Sequence, residues 1–161
     1  MKHIPKLGFG TYGRTGTAGI AALETAIDVG YRHFDTAQSY DTEEEVGAAV
    51  RNSGLARDSV WITTKIDMAN YASGRLVPSL EASIDRLGLI PDLTLLHWPS
   101  PNGDLALEVY LDQIIDAKAR GLTREIGVSN FPIAMLRAAI ARTGKGEILT
   151  NQFELNPLHN N

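Results

Sequence analysis

The sequence predicts an α/β fold with a parallel sheet, and more narrowly a (β/α)8 TIM barrel of which this chain supplies about six of the eight strands. Three observations lead there. Short apolar runs of strand length alternate along the 161 residues with longer segments patterned at helical spacing, the order that βαβ units require. The run from Leu93 is apolar in character until it reaches His97, as suits a strand buried on both faces. Polar residues stand at the tips of nearly every strand. An open doubly wound sheet collects its site at one switch point, whereas a barrel collects it from the tips of successive strands.

The elements follow in order. Leu7 to Thr11 reads as a short first strand, with glycine on either side of Phe9. Ile20, Leu23 and Ile27 mark one face of a helix from Ala18 to Val29, and Gly30 supplies its stop. The second strand ends at Asp35. Thr42 and Glu45 have capping-box spacing at the start of a helix that runs to Asn52. Val60 to Lys65 is the third strand, and a helix carrying Leu76, Leu80, Ile84 and Leu87 stops at Gly88. After the fourth strand, Leu93 to His97, comes a helix with Leu107, Leu111, Ile114 and Ile115 that ends before Gly121. Glu125 to Ser129 is the fifth strand. Asn130 is placed to cap a helix with Pro132 in its first turn and Gly144 at its end. Ile148 to Phe153 is the sixth strand. The whole chain, 1–161, reads as one domain.

Composition narrows the function classes. The chain is 43% hydrophobic and 21% charged, with a formal net charge of −4, ordinary for a globular domain. That charge gives no footprint for nucleic acid or an anionic membrane. The absence of cysteine excludes disulfides, thiol catalysis and thiolate metal sites, and fits a cytoplasmic protein. No segment has the length of a membrane span, and Met1 to Pro5 lacks the apolar core of a secretory signal. No metal site is predicted, since no His-x-x-x-His pair is present. Nor is there a Gly-Lys-Ser/Thr phosphate loop or a G-x-S-x-G elbow. Gly8, Gly10 and Gly13 have G-x-G-x-x-G spacing, but the strand before them is too short for a dinucleotide fingerprint. The run Glu43-Glu44-Glu45 reads as a helix start favoured by the helix dipole. His3, His33 and His159 read as structural or exposed.

Four tip residues carry the chemistry: Asp35, Tyr40, Lys65 and His97. A free phenol, with a pKa of about 10, is a weak acid at neutral pH. A lysine cation beside it stabilises the phenolate, and an aspartate beside the lysine keeps the ammonium charged and in place. A histidine can donate a hydrogen bond to a carbonyl oxygen and orient it. Together these groups make a general acid aimed at a carbonyl, with a donor to hold the developing oxyanion. A proton donor reduces nothing alone, so the partner reaction needs a hydride source.

These residues lie in segments that resemble the aldo-keto reductase family: Leu7-Gly8-Phe9-Gly10-Thr11-Tyr12, Gly30-Tyr31-Arg32-His33-Phe34-Asp35-Thr36-Ala37 with Tyr40 and Glu44, Ile62-Thr63-Thr64-Lys65, Leu95-Leu96-His97-Trp98-Pro99, Ile126-Gly127-Val128-Ser129-Asn130-Phe131 and Asn151-Gln152-Phe153-Glu154-Leu155. Asp92 to Asn102 and Gly121 to Gly127 are similar to the bacterial diketo-gluconate and methylglyoxal reductases of that family. The resemblance implies a barrel that uses NADPH without a Rossmann fold. It implies Tyr40 as proton donor, Lys65 and Asp35 as its tuners, and His97 as the group that orients the carbonyl. It also implies cofactor contacts from Gly10, Thr11, Tyr12, Asp35, Ser129, Asn130 and Gln152. A small-molecule carbonyl substrate would meet Tyr40, His97 and Trp98. The alternatives within the same fold are a non-catalytic binding module and an inactive fragment.

A closed barrel takes about 250 residues, and here the sixth strand is followed by only a few. The expectation is therefore the N-terminal portion of a longer enzyme, monomeric when whole. The portion alone would need its C-terminal complement or self-associate.

Overall fold

The computed structural model describes residues 4–158; His3 and His159 lie outside them. Strands β1 (Phe9–Gly10), β2 (His33–Asp35), β3 (Trp61–Ile66), β4 (Leu93–Leu96), β5 (Glu125–Ser129) and β6 (Ile148–Gln152) alternate with helices α1 (Gly16–Asp28), α2 (Glu43–Asn52), α3 (Leu76–Leu87), α4 (Leu107–Ala119) and α5 (Ile133–Thr143). The strands form one sheet in the order β1 to β6, and every pairing is parallel. Each strand lies beside the next in sequence, so the order never reverses as it does in a doubly wound sheet. The sheet also curls. In a flat sheet β2 and β6, four strands apart, would be about 19 Å from each other. Here Gln152 at the tip of β6 donates from Nε2 to Asp35 Oδ2 at the tip of β2, over 2.8 Å. This is the wall of an incomplete α/β barrel, as expected.

Packing follows the strand and helix faces. One core cluster joins Ile66, Leu96, Ile126 and Val128 to Leu76, Leu80, Leu111 and Ile114 of α3 and α4. A second joins Phe34 and Ile62 to Leu23, Ile27, Val46 and Val50 of α1 and α2. A Cβ at Gly47 would stand 2.2 Å from the carbonyl oxygen of Leu87, so only glycine lets α2 approach the end of α3 so closely. Gly88 closes α3 in the left-handed conformation, φ 68°.

Element ends differ from the sequence expectation in small ways. β3 runs one residue past Lys65, while β4 stops at Leu96, one short of His97. Two expected caps do not form. Thr42 does precede α2, but its hydroxyl makes no capping bond. It lies 2.8 Å from the hydroxyl of Thr11 and 2.9 Å from that of Thr36, all three residues being fully buried. Glu45 accepts instead from the backbone N–H of Gly16. Pro132, not Asn130, occupies the N-cap position of α5. Asn130 has φ 61° and turns its amide toward the strand tips. Both corrections have one cause: a local polar pairing yields to a tertiary partner that sequence spacing does not reveal.

Candidate active site

The first charged group of the site sits on a strand facing inward. Lys65 is 2% exposed, and its ammonium is held by the carboxylate of Asp35 and by the carbonyl of Thr36 at 3.1 Å. Asp35 and Thr36 sit where β2 passes into its loop, so paired strands bring the acid and base together. The loop then makes a short 3-10 turn, Gln38–Tyr40, which returns the phenol of Tyr40 to 3.5 Å from the ammonium. The same phenol lies 3.4 Å from Nε2 of His97, and the two rings meet edge to face with centroids 5.5 Å apart. The four expected residues are thus brought together: Asp35, Lys65, Tyr40 and His97 touch in that order.

Burial holds the His97 imidazole below its ordinary pKa, and the nearby Lys65 cation adds to the effect. At neutral pH the ring is uncharged, and one nitrogen can donate while the other accepts. His33, two residues before Asp35, is likewise lowered by burial. Its Nε2 lies 3.0 Å from the Thr63 hydroxyl, which also accepts from the Trp61 indole N–H. His33 is a satisfied interior histidine.

A second group of polar side chains closes the far side. Ser129 donates its hydroxyl to the carbonyl of Gln152 at 2.8 Å. Asn130 donates from Nδ2 to the carbonyl of His97 at 3.1 Å and to the Ser129 hydroxyl at 3.0 Å. With Gln152 on Asp35, β5 and β6 are laced to β2 and β4 at their tips.

Between the two groups opens a cavity of about 420 Å³ lined by Asp35, Tyr40, Lys65, His97, Trp98, Ser129, Asn130, Gln152, Phe153 and Glu154. Phe153 and Glu154 belong to the family-like segment after Gln152 but are not among the expected site residues; their place directly after Gln152 is the available signal. Gly10 and Thr11 do not line this cavity. Thr11 is buried and its hydroxyl faces Thr42, while its N–H bonds the carbonyl of Asp35. Tyr12 is exposed and sets its ring edge against Tyr40, centroids 5.3 Å apart. No cluster of metal-binding side chains occurs among the described residues, and no helix there is long and apolar enough to cross a membrane.

The model of the aldo/keto reductase family matches residues 6–161. The chain belongs to the aldo-keto reductase family. Within it, this aldo-keto reductase chain is 46% identical over 155 residues to the methylglyoxal reductase DkgB of Escherichia coli O157:H7, covering 96% of this chain and 58% of the relative. It is 45% identical over 151 residues to the 2,5-diketo-D-gluconic acid reductase B of a Corynebacterium species, covering 93% of this chain and 54% of that one. An aldo-keto reductase of Bombyx mori, solved in complex with NADP, superposes with a TM-score of 0.80 at 34% identity, covering 96% of this chain and 55% of that one. The chain therefore spans just over half the length of these relatives.

Proposed function

We propose that this chain is the N-terminal portion of a single-domain, NADPH-dependent carbonyl reductase, and that Tyr40 protonates the oxygen of a small polar aldehyde or ketone. Methylglyoxal and a diketo-gluconate are the first substrates to try, because relatives carry those names. The observation that carries the reading is the contact series from the Asp35 carboxylate through the Lys65 ammonium to the Tyr40 phenol and the His97 ring, facing a cavity.

The residues present fit the nicotinamide end of the cofactor. Ser129, Asn130 and Gln152 gather a hydroxyl and two amides on one wall, the kinds of group that pair with a carboxamide. On binding they would exchange some of their present bonds to one another, to His97 and to Asp35 for bonds to it. A volume near 420 Å³ is of the order of a small-molecule site. When bound, a dihydronicotinamide would be the source of the hydride for the carbonyl carbon. Tyr40 supplies the proton to the oxygen. Lys65 stays charged beside it and favours the phenolate that proton loss leaves behind. Asp35 keeps Lys65 in place, and neutral His97 donates to the substrate oxygen and orients it. Trp98 walls the substrate side.

Two measurements test this. A nucleotide-binding isotherm compares NADPH with NADH on the chain itself, and NADPH absorbance is followed with methylglyoxal. The reading expects binding, and turnover that collapses in Tyr40→Phe. Binding with no effect of Tyr40→Phe on any turnover overturns the catalytic assignment in favour of a binding module.

A further inference from the structure

Gln38 opens the turn that carries Tyr40 and makes five hydrogen bonds, all of them away from the cavity. Its Oε1 accepts from the backbone N–H of Asp67 at 2.8 Å and from Nδ2 of Asn70 at 3.0 Å. Its Nε2 meets the carbonyl of Ser79 at 3.0 Å, the hydroxyl of Ser79 at 3.1 Å and that of Ser83 at 3.0 Å. The two ends of the amide are not interchangeable. The Asp67 N–H requires an acceptor and the Ser79 carbonyl requires a donor. One side chain therefore ties the turn both to α3 and to the backbone two residues beyond Lys65.

The anchoring of the site is lopsided. Lys65 is buried and pinned by the Asp35 carboxylate and the Thr36 carbonyl. The Tyr40 phenol has only long contacts, 3.4 Å to His97 and 3.5 Å to Lys65, and bonds of that length are weak. The hydroxyl is not fixed by its own hydrogen bonds; the ring rests edge to face on Tyr12 and His97, on a backbone turn that sets its height. Thr36 and Thr42 pin the two ends of that loop. Within the turn, Tyr40 N–H bonds the carbonyl of Ala37, Ser39 Oγ lies a long 3.5 Å from His97 Nδ1, and Gln38 makes the short bonds to other elements.

We infer that Gln38 is a positioning residue that sets the separation between Lys65 and Tyr40. The inference rests on the reading of Tyr40 as the acid. Its mechanism is geometric. With both ends of the amide fastened, the turn has one height above β3, and the phenol meets the ammonium. With the amide gone, the turn is free to lift, and a misplacement of about 1 Å at a reacting group costs up to about a hundredfold in rate.

The test is built on Gln38→Met, which keeps the length and loses every bond, and Gln38→Glu. Glutamate retains the acceptor side toward Asp67 and Asn70 but sets oxygen against the Ser79 carbonyl. The chain is labelled at tyrosine Cζ, and the Tyr40 resonance is assigned with Tyr40→Phe. At fixed neutral pH this resonance reports the ammonium beside the phenol, as Lys65→Met calibrates. Gln38→Met is expected to move it toward the Lys65→Met position, and Gln38→Glu to move it less. In a Lys65→Met background the Gln38→Met effect should vanish, which loss of packing alone would not produce. Where turnover is measured, kcat falls about ten- to a hundredfold with KM within twofold. A resonance unmoved by Gln38→Met, or moved equally with and without Lys65, overturns the inference. If Gln38→Met does not fold, Gln38→Glu decides alone, and an unmoved resonance there overturns it as well. Loss of carbonyl reduction as the function, with the resonance still following Gln38, would remove the reading of Tyr40 as acid and leave the positioning intact.

Discussion

Lys65 is an ammonium taken out of water, and what keeps it acceptable in the interior is the carboxylate of Asp35 and the carbonyl of Thr36. The pairing makes Tyr40 the residue with the most specific test. Tyr40→Phe removes one oxygen and leaves the ring, so folding should be unchanged while carbonyl turnover falls about 10²- to 10⁴-fold; NADPH consumption and a thermal melt check both halves. The histidines give a second prediction. His33 and His97 both have their pKa lowered in the fold, chiefly by burial. The unfolded chain then binds more protons between the lowered values and about 6.5, so stability is full above that pH and is lost as pH falls through the folded values. Melting temperature should drop from pH 7.5 to pH 5, and His33→Gln should reduce that drop. A melt as steep with pH in His33→Gln as in the parent would count against this account of His33.

At the scale of elements, the loops are held from behind by buried polar side chains. The hydroxyl of Tyr71 donates to the carbonyl of Trp98 at 2.8 Å and accepts from its N–H at 3.4 Å, and its ring stacks on Tyr110 with centroids 4.5 Å apart. Tyr71→Phe should cost about 1–3 kcal/mol by leaving those backbone groups unpaired. Because Trp61 is buried and Trp98 is half exposed, the loosening should appear as stronger acrylamide quenching of the indole emission. At the opposite end of the strands, Asp92 accepts from the N–H of Ile62 and meets Arg57 and Arg124 at 2.8 and 3.1 Å. Asp92→Ala should lower urea stability by about 1–3 kcal/mol, chiefly by leaving the buried N–H of Ile62 without an acceptor. Sequence made the strand tips legible because a polar residue after an apolar run is a local signal. Lys65 and His97 could be picked out in that way. The hydroxyl trio of Thr11, Thr36 and Thr42 could not, nor could buried Glu43, which bonds Thr64 and Arg86 instead of merely opening a helix. Their partners come from other elements, and each local pattern has an adequate local reading that the fold overrides.

At the scale of the whole molecule, β1 and β6 each have one strand neighbour among the described residues, and Leu149 on β6 is exposed. Unpaired edges of this kind recruit other strands. Sedimentation of the chain should show concentration-dependent association that Leu149→Lys weakens; a single monomeric species at all concentrations would contradict this. Alternation made the parallel sheet legible; the barrel curl was legible only from the polar residues at successive strand tips, since periodicity carries no information on strand order or curvature. The hydrogen bond from Gln152 to Asp35 is the measure of that curl, and it joins residues 117 positions apart. That distance is also a span of time. A ribosome adding about 5–20 residues per second needs on the order of ten seconds between the emergence of Asp35 and that of Gln152. Lys65 follows Asp35 by 30 positions, so for most of that interval the carboxylate can have its lysine but not its amide, and contacts so remote in sequence are the slow ones to form. The site is therefore the last part of these six strands to be finished, and its completed geometry reports that all of them have arrived.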